Sequence, residues 1–131
     1  MCCNFSNFVS GPNFIALTEN MELSWEWGDY HRTTFALNPA FRSVFGARAF
    51  GRLQQSYSMK TVHLKEVSTE AKIYIPTRDS RTQSLVFPPG RVDTAQCPAV
   101  LEKHGEGYVG FIGDVNNEVG TQTLLMAMLG E

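Results

Sequence analysis

The chain has 131 residues, 43% hydrophobic and 18% charged, with 11 Lys+Arg against 13 Asp+Glu and a formal net charge of −2. That length suits one domain with a packed core, and the charge balance excludes both a polybasic nucleic-acid arm and an acidic disordered chain. No apolar run approaches the ~20 residues of a membrane span, and MCCNFSNFVSGPNF has neither a basic start nor a continuous apolar block, so no secretory signal is expected.

The opening CCNFSNFV reads as a short apolar strand. Trp25 and Trp27, at spacing two, share a face if their segment is extended. GDYHRTTFALNP reads as turn, strand, turn, with Thr33, Phe35 and Leu37 on one face and Asn38-Pro39 closing it. In FRSVFGARAFGRLQQ, Phe41 and Phe45 have helical spacing. Gly46 and Gly51 weaken any long helix, so an irregular loop with one helical turn is expected. SYSMKTVHLKEV is a strand carrying Met59, Thr61 and His63 on one face and Val62 and Leu64 on the other, the pattern of a strand covered on both sides. AKIYIPTR is a second strand ending near Pro76, and SLVF a third, stopped by Pro88-Pro89-Gly90. GRVDTAQ is a loop.

The last third is the most legible. Two apolar runs separated by KHGEG predict a β-hairpin with a glycine-containing turn. Apolar residues on both faces of YVGFI predict a central strand. NNEVGTQTLLMAMLG then predicts a helix, with Asn116 or Asn117 available to its first amides and Gly130 at its stop. Leu124, Leu125, Met126, Met128 and Leu129 crowd its end and predict a buried helix.

Cys2, Cys3 and Cys97 are odd in number and two are adjacent, which argues against a disulfide framework and for a reducing, cytoplasmic setting. Zinc is not expected: there is no CxxC pair, and His31, His63 and His104 are scattered. The simplest role for the cysteines is that of small buried hydrophobes.

Asp29 and His31 share a strand face, where they could bind a metal or orient a base. The alternative is a turn Asp beside a half-buried His bonded to backbone. His63 reads as packed and His104 as exposed in its turn. Arg78 and Arg81 could clasp an anion or simply flank a turn. Arg42, Arg48, Arg52 and Lys60 form a base-only stretch that either faces an anionic partner or answers Glu19, Glu22, Glu26 and Asp29. Asp114, Asn116 and Glu118 follow a buried strand at its C-terminal end, where ligands gather in open α/β sheets. They form either a ligand site or a helix cap.

GEGYVGFIGDVNNEVGTQTLLMAMLG resembles the final hairpin strand, site loop and helix of class I glutamine amidotransferase-like domains and of the related ThuA-like domains. CCNFS resembles the end of the strand that enters their nucleophile turn. DYHRTTFALNP, YSMKTVHLKEV, YIPTRDSRTQSLVF and YVGFIGDVNNEVGT together resemble a group of uncharacterised fungal proteins, over nearly the whole chain. The resemblance implies an α/β or α+β domain with a strand-rich mixed sheet and a flavodoxin-like ancestry. It implies only the C-terminal half of such a domain, without the N-terminal βα units.

The chemistry departs from that family. No glycines flank Cys3 in a Gly-x-Cys-x-Gly turn, and no histidine follows the late strand, so the Cys-His-Glu triad of a glutaminase is not assembled. The sequence therefore predicts residues 1–131 as a single, degenerate, non-catalytic module that binds a partner or small ligand and needs no cofactor. A homo-oligomer or protein partner is expected to cover the open sheet, with no role for membrane or nucleic acid. The alternative is a hydrolase or lyase using Cys3 or His31 with Asp29 and Asp114.

Overall fold

A computed structural model describes residues 2–3 and 18–130. The short β1 (Cys2–Cys3) and the long β2 (Glu26–Leu37) precede a 3-10 turn at Pro39–Phe41 and two short helices, α1 (Arg42–Phe45) and α2 (Ala47–Arg52). Then come β3 (Ser56–Lys65), β4 (Lys72–Pro76), the hairpin strands β5 (Ala99–His104) and β6 (Gly107–Ile112), and α3 (Val119–Met128). The sheet order is β1-β6-β5-β4-β2-β3. β1 runs parallel to β6, and the other pairs are antiparallel. The fold is thus a mixed α+β one.

The antiparallel strands curl. Leu64 and Cys97 exchange backbone hydrogen bonds of 2.9 and 3.1 Å, Val62 donates to Gly113 (3.2 Å), and Val115 donates to Lys60 (3.0 Å). β3, last in the sheet order, thereby reaches the segments flanking the β5–β6 hairpin. Gly113 permits this contact, because a Cβ there would collide with the Val62 carbonyl oxygen.

Period-two alternation places Thr33, Phe35 and Leu37 of β2 all in the interior. One apolar cluster joins Phe35, Met59, Ile73, Leu101 and Ile112 to Phe41 and Phe50 of the helical segment and Leu124 of α3. The other joins Val100, Val109 and Phe111 to Trp25, Leu64 and Cys97. Neighbouring residues of β5 and β6 thus enter different clusters, as expected for strands covered on both faces.

Several elements differ from the sequence expectation. Gly28-Asp29 is not a turn but an extra residue inside β2, where the register slips between Trp27↔Leu64 and Tyr30↔Val62. The 41–55 segment holds two short helices rather than one turn, broken at Gly46 with φ 84°. SLVF is no strand: Leu85 and Phe87 stand in solvent, and among the described residues no neighbouring strand reaches them. α3 is buried along one side only. Gly120, Thr121, Leu124 and Ala127 face inward, whereas Leu125, Met126 and Leu129 remain exposed. The apolar stretch after Cys3 lies outside the described residues.

Candidate functional site

A wide concavity begins where β4 ends. β4 pairs with only the last part of β2, Phe35 to Leu37. Upstream, the chain after β4 covers the β2 edge: Gln83 N donates to the Arg32 carbonyl (2.8 Å), Ser80 Oγ to that of Thr34 (3.1 Å), and Thr33 Oγ1 to that of Arg81 (2.7 Å). The chain then swings out and back. Its neck is closed by Thr82 N on the Gly90 carbonyl (2.9 Å), Gly90 N on Thr82 Oγ1 (2.8 Å) and a bridge between Arg81 and Arg91. At the tip, Ser84 Oγ accepts from the amides of Val86 and Phe87. Three successive apolar side chains, Leu85, Val86 and Phe87, are 108%, 80% and 72% exposed there.

Between this flap and β2 lies an open groove of about 1310 Å³. A hydrogen-bonded network runs beneath it. Arg32 Nη1 donates to Ser58 Oγ (3.2 Å), Ser58 Oγ to Gln83 Oε1 (2.7 Å), and Gln83 Nε2 to Thr34 Oγ1 (2.8 Å). Arg32 Nη2 also meets Glu118 Oε1 at 3.0 Å. Lys60 sits directly opposite Arg32 in the β2–β3 register, and its ammonium lies 5.6 Å from the centre of the Tyr30 ring. Two like charges placed opposite each other repel, and Glu118 offsets only one of them.

His31 lines the groove, and its ring meets that of His63 at a tilt of 38° with the centroids 4.3 Å apart. His63 Nδ1 is 2.9 Å from the Asp29 carbonyl, which can only accept, so the neutral ring carries its proton on Nδ1. His63 Nε2 and His31 Nδ1 are then buried without a hydrogen-bond partner. Burial lowers the His63 pKa to about 4, with the neighbouring His31 adding to the effect. His31 is also lowered by burial, against an opposing pull from Asp29.

The other expected site residues scatter. The Asp29 carboxylate accepts from Gln96 Nε2 (3.0 Å). Asp114 is fully buried and accepts from the amides of Asn116 (2.9 Å) and Glu118 (2.7 Å) and from Thr121 Oγ1 (2.6 Å). It orders the loop before α3 and ties that loop to Thr121 on the helix, and neither Asn116 nor Asn117 caps the first helical amides. Thr61 pairs with His31 on one side and Asp114 on the other. His31 and Asp114 are therefore two strand spacings apart, roughly 9–10 Å, with Asp114's oxygens turned to its own loop. Cys3 pairs through its backbone with Phe111, and its side chain lies outside the described residues.

Arg81 lines the groove and Arg78 does not; Arg81 Nη1 instead donates to the Arg78 and Ser80 carbonyls. Of the base-only stretch, Lys60 reaches the groove, whereas Arg52 lines a separate hollow of about 340 Å³ beside α3. The buried Cys97 thiol is pushed up to about 12 by desolvation, which makes it inert. Among the described residues, no group of three or more His, Cys, Asp or Glu could hold a metal ion, and no helix is long and apolar enough to cross a membrane.

Comparison with protein-family models, with curated proteins and with solved structures yields no match. The groove's chemistry is therefore read from its own residues. Sequence reasoning missed the flap, the Arg32–Glu118 pair and the His31–His63 contact. Only the flap left a local signal: Pro88-Pro89-Gly90 directly after a short apolar run.

Proposed function

We propose that the chain is a non-catalytic binding module, a degenerate relative of amidotransferase-like domains, whose ligand occupies the groove between β2 and the 82–90 flap. The observation that carries this reading is the groove itself, with its bonded polar floor and its exposed apolar lip of Leu85 and Phe87. Exposed contiguous apolar side chains beside a concave surface mark interaction sites. Support on the chemical side comes from Asp114, whose carboxylate is engaged in its own loop, and from His63, whose Nδ1 is engaged with backbone.

The kinship remains part of the proposal on two points. β1 and β6 pair in parallel, and the β6–loop–α3 order follows the family's late strand, site loop and helix. In this reading the 113–118 loop takes the place of the family's late site element and carries no histidine, and its Asp114 is bonded to the amides of Asn116 and Glu118. A cytoplasmic, self-associating form belongs to the same reading, with the exposed Leu125, Met126 and Leu129 of α3 as the face for a second copy.

The test is a fragment screen by NMR on the full chain. Perturbations gathering on Tyr30, Thr34, Gln83 and Phe87 are expected. Perturbations scattered elsewhere would overturn the groove as the binding site.

A further inference from the structure

The charge in the groove runs against that of the whole chain. The protein carries a formal net charge of −2, yet the groove lining holds Arg32, Lys60 and Arg81 against a single carboxylate, Asp79. Arg32 is neutralised by Glu118 at 3.0 Å. Neither Lys60 nor Arg81 has a carboxylate within 4.0 Å among the described residues. Lys60 is held over the Tyr30 ring and faces Arg32 across the β2–β3 pair, an arrangement that a bound anion would relieve.

Above these cations the flap presents Leu85 and Phe87 to solvent on a neck tied by the Thr82–Gly90 hydrogen bonds and the Arg81–Arg91 bridge. The groove therefore combines a cationic floor with an apolar lip. Inorganic anions would satisfy only the floor, and neutral hydrocarbons only the lip.

We infer that the groove binds a small amphipathic anion, a phosphate or carboxylate joined to an aromatic or aliphatic body. Lys60 and Arg81 take the anionic head, while Tyr30, Leu85 and Phe87 enclose the body. This inference deepens the proposed function and rests on the groove reading. Leu85 and Phe87 lose exposed area when the ligand is in place. The apolar part contributes affinity through burial, and the head selects charge through two cations that no carboxylate neutralises among the described residues.

The experiment titrates the full chain with phenyl phosphate, inorganic phosphate and benzyl alcohol, each followed by NMR at Tyr30, Thr34, Lys60 and Phe87. Phenyl phosphate is expected to bind in the millimolar range typical of so small a ligand, and more tightly than either of the other two. Lys60→Met with Arg81→Met should weaken phenyl phosphate about tenfold, as expected for removal of charge-assisted contacts, and leave benzyl alcohol unchanged. Phe87→Ser should weaken phenyl phosphate and benzyl alcohol together. The stability of each variant, measured by denaturant unfolding, separates lost binding from lost folding.

Equal binding of benzyl alcohol and phenyl phosphate at these residues would overturn the anion inference and leave the groove reading standing. Equal binding of inorganic phosphate and phenyl phosphate would overturn the amphipathic part of the inference. Perturbation of none of the four residues by any probe would overturn both the inference and the groove reading.

Discussion

Two loops follow strands in this molecule, each with an Asp and a Gly, and they do opposite things. The 113–118 loop after β6 is short and tied inward. Gly113 lies against the Val62 carbonyl, Asp114 is fully buried, and that carboxylate accepts from Asn116, Glu118 and Thr121. The 77–90 segment after β4 is long, bonded to β2 at its base, and apolar and solvent-facing at its tip. An Asp, a Gly and neighbouring amides look like a ligand site in sequence, but a loop that satisfies its own polar groups has little left to offer a ligand. The loop with unused groups is the one beside the groove. The two are joined at one point, where Glu118 of the first meets Arg32 beneath the second.

The largest test of this contrast is Gly113→Ala. The added Cβ would strike the Val62 backbone, so the variant is expected to lose about 3–4 kcal/mol in denaturant unfolding. Gly90→Ala in the other loop meets only Thr82 Oγ1, at 3.4 Å, and should lose far less.

Acid comes next. Burial holds the His63 pKa near 4 in the folded chain, below the ordinary 6.5 of imidazole, so its charged form is disfavoured in the native state. The unfolded chain binds that proton first. Stability is therefore fully present above pH 6.5 and falls as pH drops toward about 4, by on the order of 3 kcal/mol. His63→Phe should flatten this slope. An unchanged slope would show that other groups set the acid limit.

Asp114→Asn keeps the shape but loses the charge that strengthens three hydrogen bonds, and about 2 kcal/mol of destabilisation is expected. Glu118→Gln is a smaller change, since a partly exposed pair contributes under ~1 kcal/mol. It releases Arg32 toward the groove, so phenyl phosphate should bind more tightly, which isothermal calorimetry would read. Phe87→Ser is expected to leave stability within about 0.5 kcal/mol, because the side chain touches little of the fold. A larger loss would mean that the flap belongs to the core.

Much of the framework is local and therefore readable in the sequence. Alternation over Thr33, Phe35 and Leu37 marks the inner face of β2, Gly105 with φ 60° closes the β5–β6 hairpin, and the 119–128 segment is helical where its pattern places it. The burial of His63 and the exposure of His104 are also legible, from an apolar strand and a glycine turn. The apolar string SLVF misleads because strand character needs a neighbouring strand to pair with, and none of the described strands lies beside it. The crowded end of α3 misleads because apolar content alone does not say how many sides of a helix are covered.

Length and charge at the outset indicated one domain of slightly negative charge, and periodicity assigned most of its strands and its last helix. Only the tertiary structure decided that β3 returns to meet Cys97, Gly113 and Val115. That return brings Asp114 beside Thr61 in the interior, the β2–β3 pairing sets His31 beside His63, and the segment after β4 leaves Arg81 with Lys60 at an open groove. The physical reason is range. Side-chain alternation follows from neighbours two residues apart, whereas the availability of a carboxylate or ammonium to a ligand depends on which distant backbone groups reach it first.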